Sequence, residues 1–254
     1  MHDTIIQKLH SIEQEENIQI LLAVESGSRA WGFASPDSDY DVRFIYKRTV
    51  QDYLKLNPYK DTLEYPVDAV LDISGWDLSK ALKLMYSCNP SLCEWLSSPI
   101  VYIETDSARE LRSLLHSYLD CSKLLHHYLS MARKNYTSYL TKDMVRAKKY
   151  FYVLRPLLCC KWLLEYGSVP PVEFATLMEA ELPADLNNSV KQLLDIKISS
   201  PEIKQIPQIP QVHTYLLQSM EEIQEKLSCL PPHQHISIEP LNNLFLKEVF
   251  NTTD

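Results

Sequence analysis

The chain has 254 residues, of which 45% are hydrophobic and 23% charged. This balance allows one or two compact domains with a buried core and excludes a chain that is disordered throughout. The 25 basic and 33 acidic residues give a formal net charge of −8, which disfavours gripping long nucleic acids by charge alone but leaves room for a local basic patch.

The composition also bears on location. The apolar stretches fall far short of the ~20 residues that a membrane-spanning helix needs, and the polar N-terminus lacks the apolar segment of a secretory signal. The six cysteines form no Cys-x-x-Cys pair, a pattern typical of reduced, buried thiols. We therefore expect a cytoplasmic protein that has no membrane partner.

The first third of the chain has the pattern of a mixed α/β domain. Helical spacing of apolar residues predicts a helix over 3–17, and a buried strand follows over 18–24. A turn at 25–32 leads to an alternating strand over 39–46. A third strand is predicted over 65–73.

The pattern becomes helical after the third strand. A helix is predicted to start near residue 74 or 77, followed by a short helical turn at 91–96 and an extended segment at 100–103. Further helical segments are predicted over 106–139, 142–166, 171–181, 185–196, 212–228 and 241–249. The predicted fold class is therefore α+β: a small mixed-sheet domain over 1–103, followed by an all-helical domain over 104–254.

Acidic residues on the second and third predicted strands suggest metal chemistry. Asp39 and Asp41 are two residues apart, so both carboxylates point to the same face of a strand. Such a pair repels itself unless a cation such as Mg²⁺ lies between. Asp68 and Asp72, four apart on the next strand, also share a face, and either can complete a three-carboxylate cluster of the kind used in two-metal nucleotidyl transfer. The plainer alternative is a solvated Asp-x-Asp at a strand end.

The turn before these residues suggests a phosphate site. Gly27 is one of only four glycines in the chain, and Gly27-Ser28 follows directly after a buried strand. Backbone N–H groups and a hydroxyl in this setting can hold phosphate oxygens. A plain turn is the alternative interpretation.

Residues 27–42 resemble the signature of the DNA polymerase β-like nucleotidyltransferase superfamily. That signature is an apolar strand, Gly-Ser, about ten residues, and Asp-x-Asp between apolar residues; here ten residues separate Ser28 from Asp39. Residues 71–82, 89–96 and 98–102 are similar to the YcgL-type, RNA-ligase-associated group of predicted nucleotidyltransferases. The resemblance covers most of residues 20–180.

The resemblance implies a metal centre. Asp39 and Asp41 would ligate two Mg²⁺ ions that bridge a nucleoside triphosphate. Asp72, whose Leu-Asp-Ile-x-Gly-Trp-Asp context favours it over Asp68, would complete the site and orient or deprotonate the acceptor hydroxyl.

It also implies a triphosphate cradle. Gly27 and Ser28 would hold the β- and γ-phosphates, with Gly27 allowing close backbone approach. Arg29 is a candidate for neutralising phosphate charge, with a salt bridge to Asp37 or Glu25 as the alternative.

A second cluster lies in the helical half. Lys148 or Lys149, Tyr152 and Arg155 can share one helix face. Lys149 could contact phosphate and Tyr152 could stack on the base. The alternative is a solvated basic stripe.

The function that the sequence predicts is Mg²⁺-dependent transfer of an NMP group from an NTP to an acceptor hydroxyl, with release of pyrophosphate. The acceptor is left open between a nucleic-acid end, a protein side chain and a small molecule. The alternative function is a catalytically weak, nucleotide-binding regulatory or antitoxin-like module.

Overall fold

The computed structural model describes residues 1–66, 70–199, 205–230 and 236–250. The helices are α1 (His2–Glu16), α2 (Gly27–Ala30), α3 (Val50–Tyr53), α4 (Leu78–Tyr86), α5 (Pro90–Leu96), α6 (Asp106–Leu114), α7 (Cys121–Tyr139), α8 (Ala147–Tyr166), α9 (Phe174–Glu181), α10 (Asn187–Ser199), α11 (Pro210–Ser228) and α12 (Glu239–Phe250). The strands are β1 (Gln19–Ser26), β2 (Tyr40–Lys47), β3 (Thr62–Glu64), β4 (Leu71–Asp77), β5 (Val101–Glu104), β6 (Met144–Arg146) and β7 (Gln205–Pro207).

These elements form two compact units, each discontinuous along the chain. The described residues of the first unit are 1–30, 39–66, 70–118 and 236–250, and those of the second are 31–38, 119–199 and 205–230. The sequence-based boundary between residues 103 and 104 does not coincide with this division, and as a domain boundary it stays a prediction.

A five-stranded mixed sheet, in the order β3-β4-β2-β1-β5, forms the centre of the first unit. β2 and β4 are parallel, and the other neighbouring strands are antiparallel. The parallel pairing places Asp41 directly opposite Asp72. Because matched residues of adjacent parallel strands project from the same face of a sheet, this register sets the two carboxylates side by side.

The core of the first unit lies against α1. This helix buries Ile5, Leu9 and Ile12, whose spacing places them on one side of the helix. They pack in one cluster with Phe44 and Tyr46 of β2. Burial of each of these side chains stabilises the fold by about 1.5–3 kcal/mol, which fixes β2 in the middle of the sheet.

The third predicted strand is displaced in the structure. It was expected over 65–73, whereas β4 runs over Leu71–Asp77 and the unpredicted β3 pairs with it. Gly75 lies within this strand, and a Cβ there would come to 2.2 Å from the Phe44 ring. Glycine therefore leaves room for the aromatic side chain of the neighbouring strand.

The second unit is mainly helical. α7 and α8 pack along each other, and α9 and α11 pack on α8. The predicted segment 106–139 is divided, because Asp120 caps a new helix by accepting the N–H of Lys123 at 3.0 Å. α8 begins at Ala147 and not at 142, because β6 pairs with β7 just before it.

The predicted fold class, α+β with a mixed sheet and a helical C-terminal part, is confirmed. Across the described ranges, every helix is too short or too polar to cross a lipid bilayer.

Candidate active site

The centre of the candidate site is a pair of carboxylates near the beginning of β2 and β4. Asp41 and Asp72 are partners in the parallel register. Their side chains are partly exposed, at 29% and 35% respectively. Both can therefore contact a ligand from solvent while the sheet holds their backbones in place.

Arg43 lies between the two carboxylates and was not predicted as a site residue. Its Nη2 donates to Oδ1 of Asp41 at 3.1 Å and to Oδ2 of Asp72 at 2.6 Å. Its Nη1 donates to the main-chain oxygens of Asp72 at 2.9 Å and Val42 at 3.1 Å. The sequence did contain a signal, since Arg43 follows Asp41 by two positions and so projects from the same face of the strand.

The electrostatics of the pair favour a bound cation. Burial raises the pKa of the Asp41 carboxyl above its ordinary value; the Arg43 guanidinium opposes this shift, and the charges of Asp72 and Asp39 add to it. Positive charge beside the pair is therefore stabilising. Carboxylate oxygens are the ligands that Mg²⁺ prefers, so this donor set fits a Mg²⁺ ion held by Asp41 and Asp72.

The predicted metal cluster also includes Asp39, with Asp68 as the alternative to Asp72. Asp39 is exposed and immediately precedes β2, close enough for its charge to act on Asp41. Asp68 lies outside the described residues. Within the described part of the chain, no group of three His, Cys, Asp or Glu side chains is already arranged around a common metal position. Metal ligation by Asp39 therefore stays a prediction.

Gly27 lies directly against the Asp41 carboxylate. It has a φ of +59°, and a Cβ at this position would lie 2.0 Å from Oδ2 of Asp41. The close approach that the sequence suggested for phosphate is thus made, in the structure, to the neighbouring aspartate. Phosphate contact by Gly27 stays a prediction.

Ser28 and Arg29 follow on α2, and both are half-buried. Nε of Arg29 donates to the main-chain oxygen of Asp39 at 3.0 Å, and its guanidinium lies 3.6 Å from the ring centroid of Tyr40. These contacts tie α2 to the beginning of β2, beside the carboxylate pair. The phosphate roles of Ser28 and Arg29 stay predictions.

The buried carboxylate of Glu25 accepts a hydrogen bond from the backbone of Asp41. It was also missed as a site residue. Glu25 is 1% exposed; its Oε1 accepts the main-chain N–H of Asp41 at 2.8 Å, and its Oε2 accepts from the hydroxyl of Tyr102. Burial raises the pKa of Glu25. Glu25 and Tyr102 thus fix the backbone that carries Asp41.

Lys149 and Tyr152 lie on α8, in the second unit. Nζ of Lys149 is 4.4 Å from the ring centroid of Tyr152 and 3.9 Å from that of Tyr139 on α7. Lys149 and Tyr152 therefore meet on one side of α8, as their spacing predicts. Their contact with a nucleotide stays a prediction.

Comparison with known proteins gives a consistent family. Residues 1–247 match the RlaP family, the RNA repair pathway DNA polymerase beta family. The uncharacterized protein YcgL of Bacillus subtilis (strain 168) is 41% identical over 251 residues, which cover 98% of this chain and 96% of that protein. These similarities confirm the resemblance inferred from residues 27–42 and the stretches after them.

A solved structure is also similar. The crystal structure of a nucleotidyltransferase-like protein from Exiguobacterium sibiricum 255-15 aligns with 98% of this chain and 81% of its own, at 14% identity and a TM-score of 0.32.

Proposed function

Because the chain belongs to the RlaP family, the RNA repair pathway DNA polymerase beta family, we propose that it is a Mg²⁺-dependent enzyme that transfers an NMP group from an NTP to an acceptor hydroxyl. A general nucleotidyltransferase role follows from the family. The metal, the donor and the acceptor are the finer parts of the proposal.

One observation carries the proposal: the carboxylates of Asp41 and Asp72 share one cation. The 3.1 Å and 2.6 Å contacts to Nη2 of Arg43 show that a single positive group reaches both side chains at once. A divalent ion at the same pair would be held by two oxygens from adjacent strands. Bound there, Mg²⁺ would neutralise triphosphate charge and polarise the phosphorus that is attacked.

The aspartates would have different roles in the reaction. Asp39 and Asp41 would hold the metal, and Asp72 would complete the site beside the acceptor hydroxyl. In the transfer, the acceptor oxygen forms a bond to the α-phosphorus, the bond from that phosphorus to the bridging oxygen breaks, and pyrophosphate leaves. The Asp72 carboxylate orients the acceptor hydroxyl and takes its proton.

The cradle of the triphosphate is the turn that follows β1. The N–H groups of Gly27 and Ser28, with the Ser28 hydroxyl, would hold the β- and γ-phosphates, and Arg29 would neutralise part of their charge. On α8, Lys149 and Tyr152 would add a phosphate contact and a stacking surface for the base.

Among the possible acceptors, we propose an RNA end. The description of the matching family names an RNA repair pathway, and an RNA end requires only a small local contact area. This is compatible with a net charge of −8, which disfavours extended binding along a polynucleotide.

One observation favours a second candidate function, a nucleotide-binding module with little catalysis. Arg43 already places positive charge on the carboxylate pair through two hydrogen bonds, one to each side chain. A protein that kept Arg43 in this position permanently would bind nucleotide without assembling a catalytic metal site.

A transfer assay with α-labelled NTPs separates the two functions. Each NTP is incubated with Mg²⁺ and RNA oligonucleotides that have free 3′-hydroxyl ends, with the wild type and the variants Asp41→Asn and Asp72→Asn. Asp61→Asn is the matched control, because Asp61 is an exposed aspartate of the same unit. We expect each active-site variant to lose roughly 100-fold or more in turnover, because removing a metal ligand removes several kcal/mol of transition-state stabilisation.

The outcomes are distinct. Labelled RNA with the wild type and Asp61→Asn, but not with the two other variants, supports the enzyme. Unchanged turnover in Asp41→Asn or Asp72→Asn contradicts the assignment. Nucleotide binding by calorimetry without transfer to RNA, protein or small molecules supports the non-catalytic module.

A further inference from the structure

Both terminal nitrogens of the Arg43 guanidinium donate hydrogen bonds to the carboxylate pair or to main-chain oxygens beside it. Each Nη atom carries two N–H groups, and the two atoms together have four acceptors: Oδ1 of Asp41, Oδ2 of Asp72 and two main-chain oxygens. The side chain is only 17% exposed. Its donors are therefore directed at the protein, and this geometry is unsuited to gripping a phosphate from solvent.

The same contacts reduce the repulsion between the two carboxylates when no metal is bound. Asp41 and Asp72 are fixed side by side by the strand register, so their charges repel unless a cation is present. Arg43 provides that cation from within β2. The two carboxylates are therefore held in a fixed orientation before any ligand arrives.

This arrangement has a consequence for metal binding. A divalent ion that ligates Asp41 and Asp72 would lie at carboxylates that the guanidinium already contacts, and two cations at one site repel each other. The anionic triphosphate of an NTP would offset the excess positive charge. A free divalent ion lacks this compensation.

We propose that Arg43 is an internal counter-cation that keeps the Asp41–Asp72 pair assembled without metal. It also makes the site accept a divalent ion only together with a nucleoside triphosphate. This inference rests on the proposed function. Arg43 is thus a positioning residue that acts through the two carboxylates. The site would then stay free of bare metal ions until the donor nucleotide is present.

The test measures binding of Mn²⁺ alone, in place of Mg²⁺, to chelator-treated full-length protein by electron paramagnetic resonance. Arg43→Gln removes the counter-cation, and Arg43→Lys keeps the charge with a single ammonium. Arg109→Gln is the control: it removes the same charge from an exposed arginine of the same unit that pairs with Glu104. We expect Arg43→Gln to bind Mn²⁺ about tenfold or more tightly than wild type, Arg43→Lys to lie between, and Arg109→Gln to match wild type.

A second measurement reports on the metal-free state. In EDTA, Arg43→Gln should melt several degrees below Arg109→Gln, because the carboxylate pair has lost its counter-cation. Adding Asp72→Asn to Arg43→Gln should recover part of the loss, because one of the two repelling charges is then removed. This double variant also keeps the test valid if Arg43→Gln alone folds poorly.

Failure of this inference differs from failure of the proposed function. Wild-type NMP transfer, together with an Arg43→Gln variant that binds Mn²⁺ no more tightly than wild type, overturns the role of Arg43 and leaves the enzyme standing. Tighter Mn²⁺ binding by Arg43→Gln without any transfer by wild type supports the counter-cation and overturns the enzyme. Absence of Mn²⁺ binding in every variant, with or without NTP, overturns both.

Discussion

Gly27 lies so close to Asp41 that a Cβ on the glycine would overlap the aspartate side chain, at 2.0 Å from Oδ2. The contact joins the turn after β1 to the carboxylate of β2, the two parts of the nucleotidyltransferase signature. The glycine of that signature therefore has a structural role, namely to leave room for the Asp41 carboxylate.

Gly27→Ala should impair transfer much more than stability. An alanine at a φ of +59° costs about 1–2 kcal/mol of backbone strain, and its Cβ must push the Asp41 side chain out of position. We expect a decrease of this size in the free energy of unfolding, measured with urea. We also expect a loss of roughly 100-fold in turnover.

Gly167→Ala is the matched control for this prediction. Gly167 has a φ of +57°, and a Cβ there meets no atom within 4 Å. It should reproduce the strain and leave turnover unchanged. If Gly27→Ala also retained its turnover, the position of the Asp41 carboxylate would be unimportant for the reaction.

Tyr102→Phe tests the support behind Asp41. It removes the hydroxyl that donates to Glu25 and leaves one oxygen of a buried carboxylate without that donor, which should lower the free energy of unfolding by about 1–3 kcal/mol. Tyr40→Phe, which keeps the ring facing Arg29, is the control. Equal stability of the two variants in urea would show that the Tyr102 hydroxyl does not support the site.

The site residues that were predicted follow from local sequence pattern, whereas those that were missed depend on contacts between residues far apart in the chain. Alternation along a strand placed Asp39 with Asp41 on one face and Asp68 with Asp72 on another, and the family resemblance selected Asp72 as the partner of Asp41. Glu25 was assigned to a turn because Gly27 follows it, whereas β1 continues to Ser26. Its burial depends on Tyr102 in β5, a partner far along the chain that local pattern does not reveal.

The fold shows the same limit. The long apolar periodicities predicted most helices, because burial on one side of a helix leaves a repeating pattern. The short strands β3, β6 and β7 were missed, since each has only three residues and forms by pairing with a distant partner. Gly75 lies within β4, where a Cβ would come to 2.2 Å from the ring of Phe44 on the neighbouring strand, a contact that local pattern does not reveal.

Stability should depend on pH through Asp77, the buried cap of α4. Its carboxylate is fully buried and accepts from Ser79 N–H at 2.8 Å and from the Tyr53 hydroxyl at 3.0 Å, yet burial raises its pKa. The folded state therefore binds the proton more tightly than the unfolded state. Relative to Asp77→Asn, which keeps the cap, wild-type stability should rise as pH falls from neutral through the raised pKa and level off below the unfolded value.

Asp52→Asn provides a control of opposite sign. Hydrogen bonds from Lys55 and Thr49 lower the pKa of Asp52, so the wild type should lose stability relative to this variant as pH falls below the ordinary aspartate value and through the lowered pKa. Urea unfolding between about pH 2 and 8, a range that extends below the ordinary aspartate pKa, measures both differences. Two slopes of the same sign would contradict the assigned environment of Asp77.

The role of Lys149 can be separated from simple packing by its two aromatic neighbours. Nζ of Lys149 lies over both Tyr139 and Tyr152, but only Tyr152 was assigned to the nucleotide. If Lys149 and Tyr152 form a nucleotide-binding surface, Tyr152→Ala should weaken NTP binding, because stacking on a base is worth about 1–3 kcal/mol, or roughly 5- to 150-fold in Kd. Tyr139→Ala removes a similar cation–π contact and should leave that Kd unchanged. Calorimetric titration with an NTP and Mg²⁺ measures the Kd of both variants. An equal increase in Kd for the two, or no increase in either, would assign Lys149 to the packing of α7 against α8.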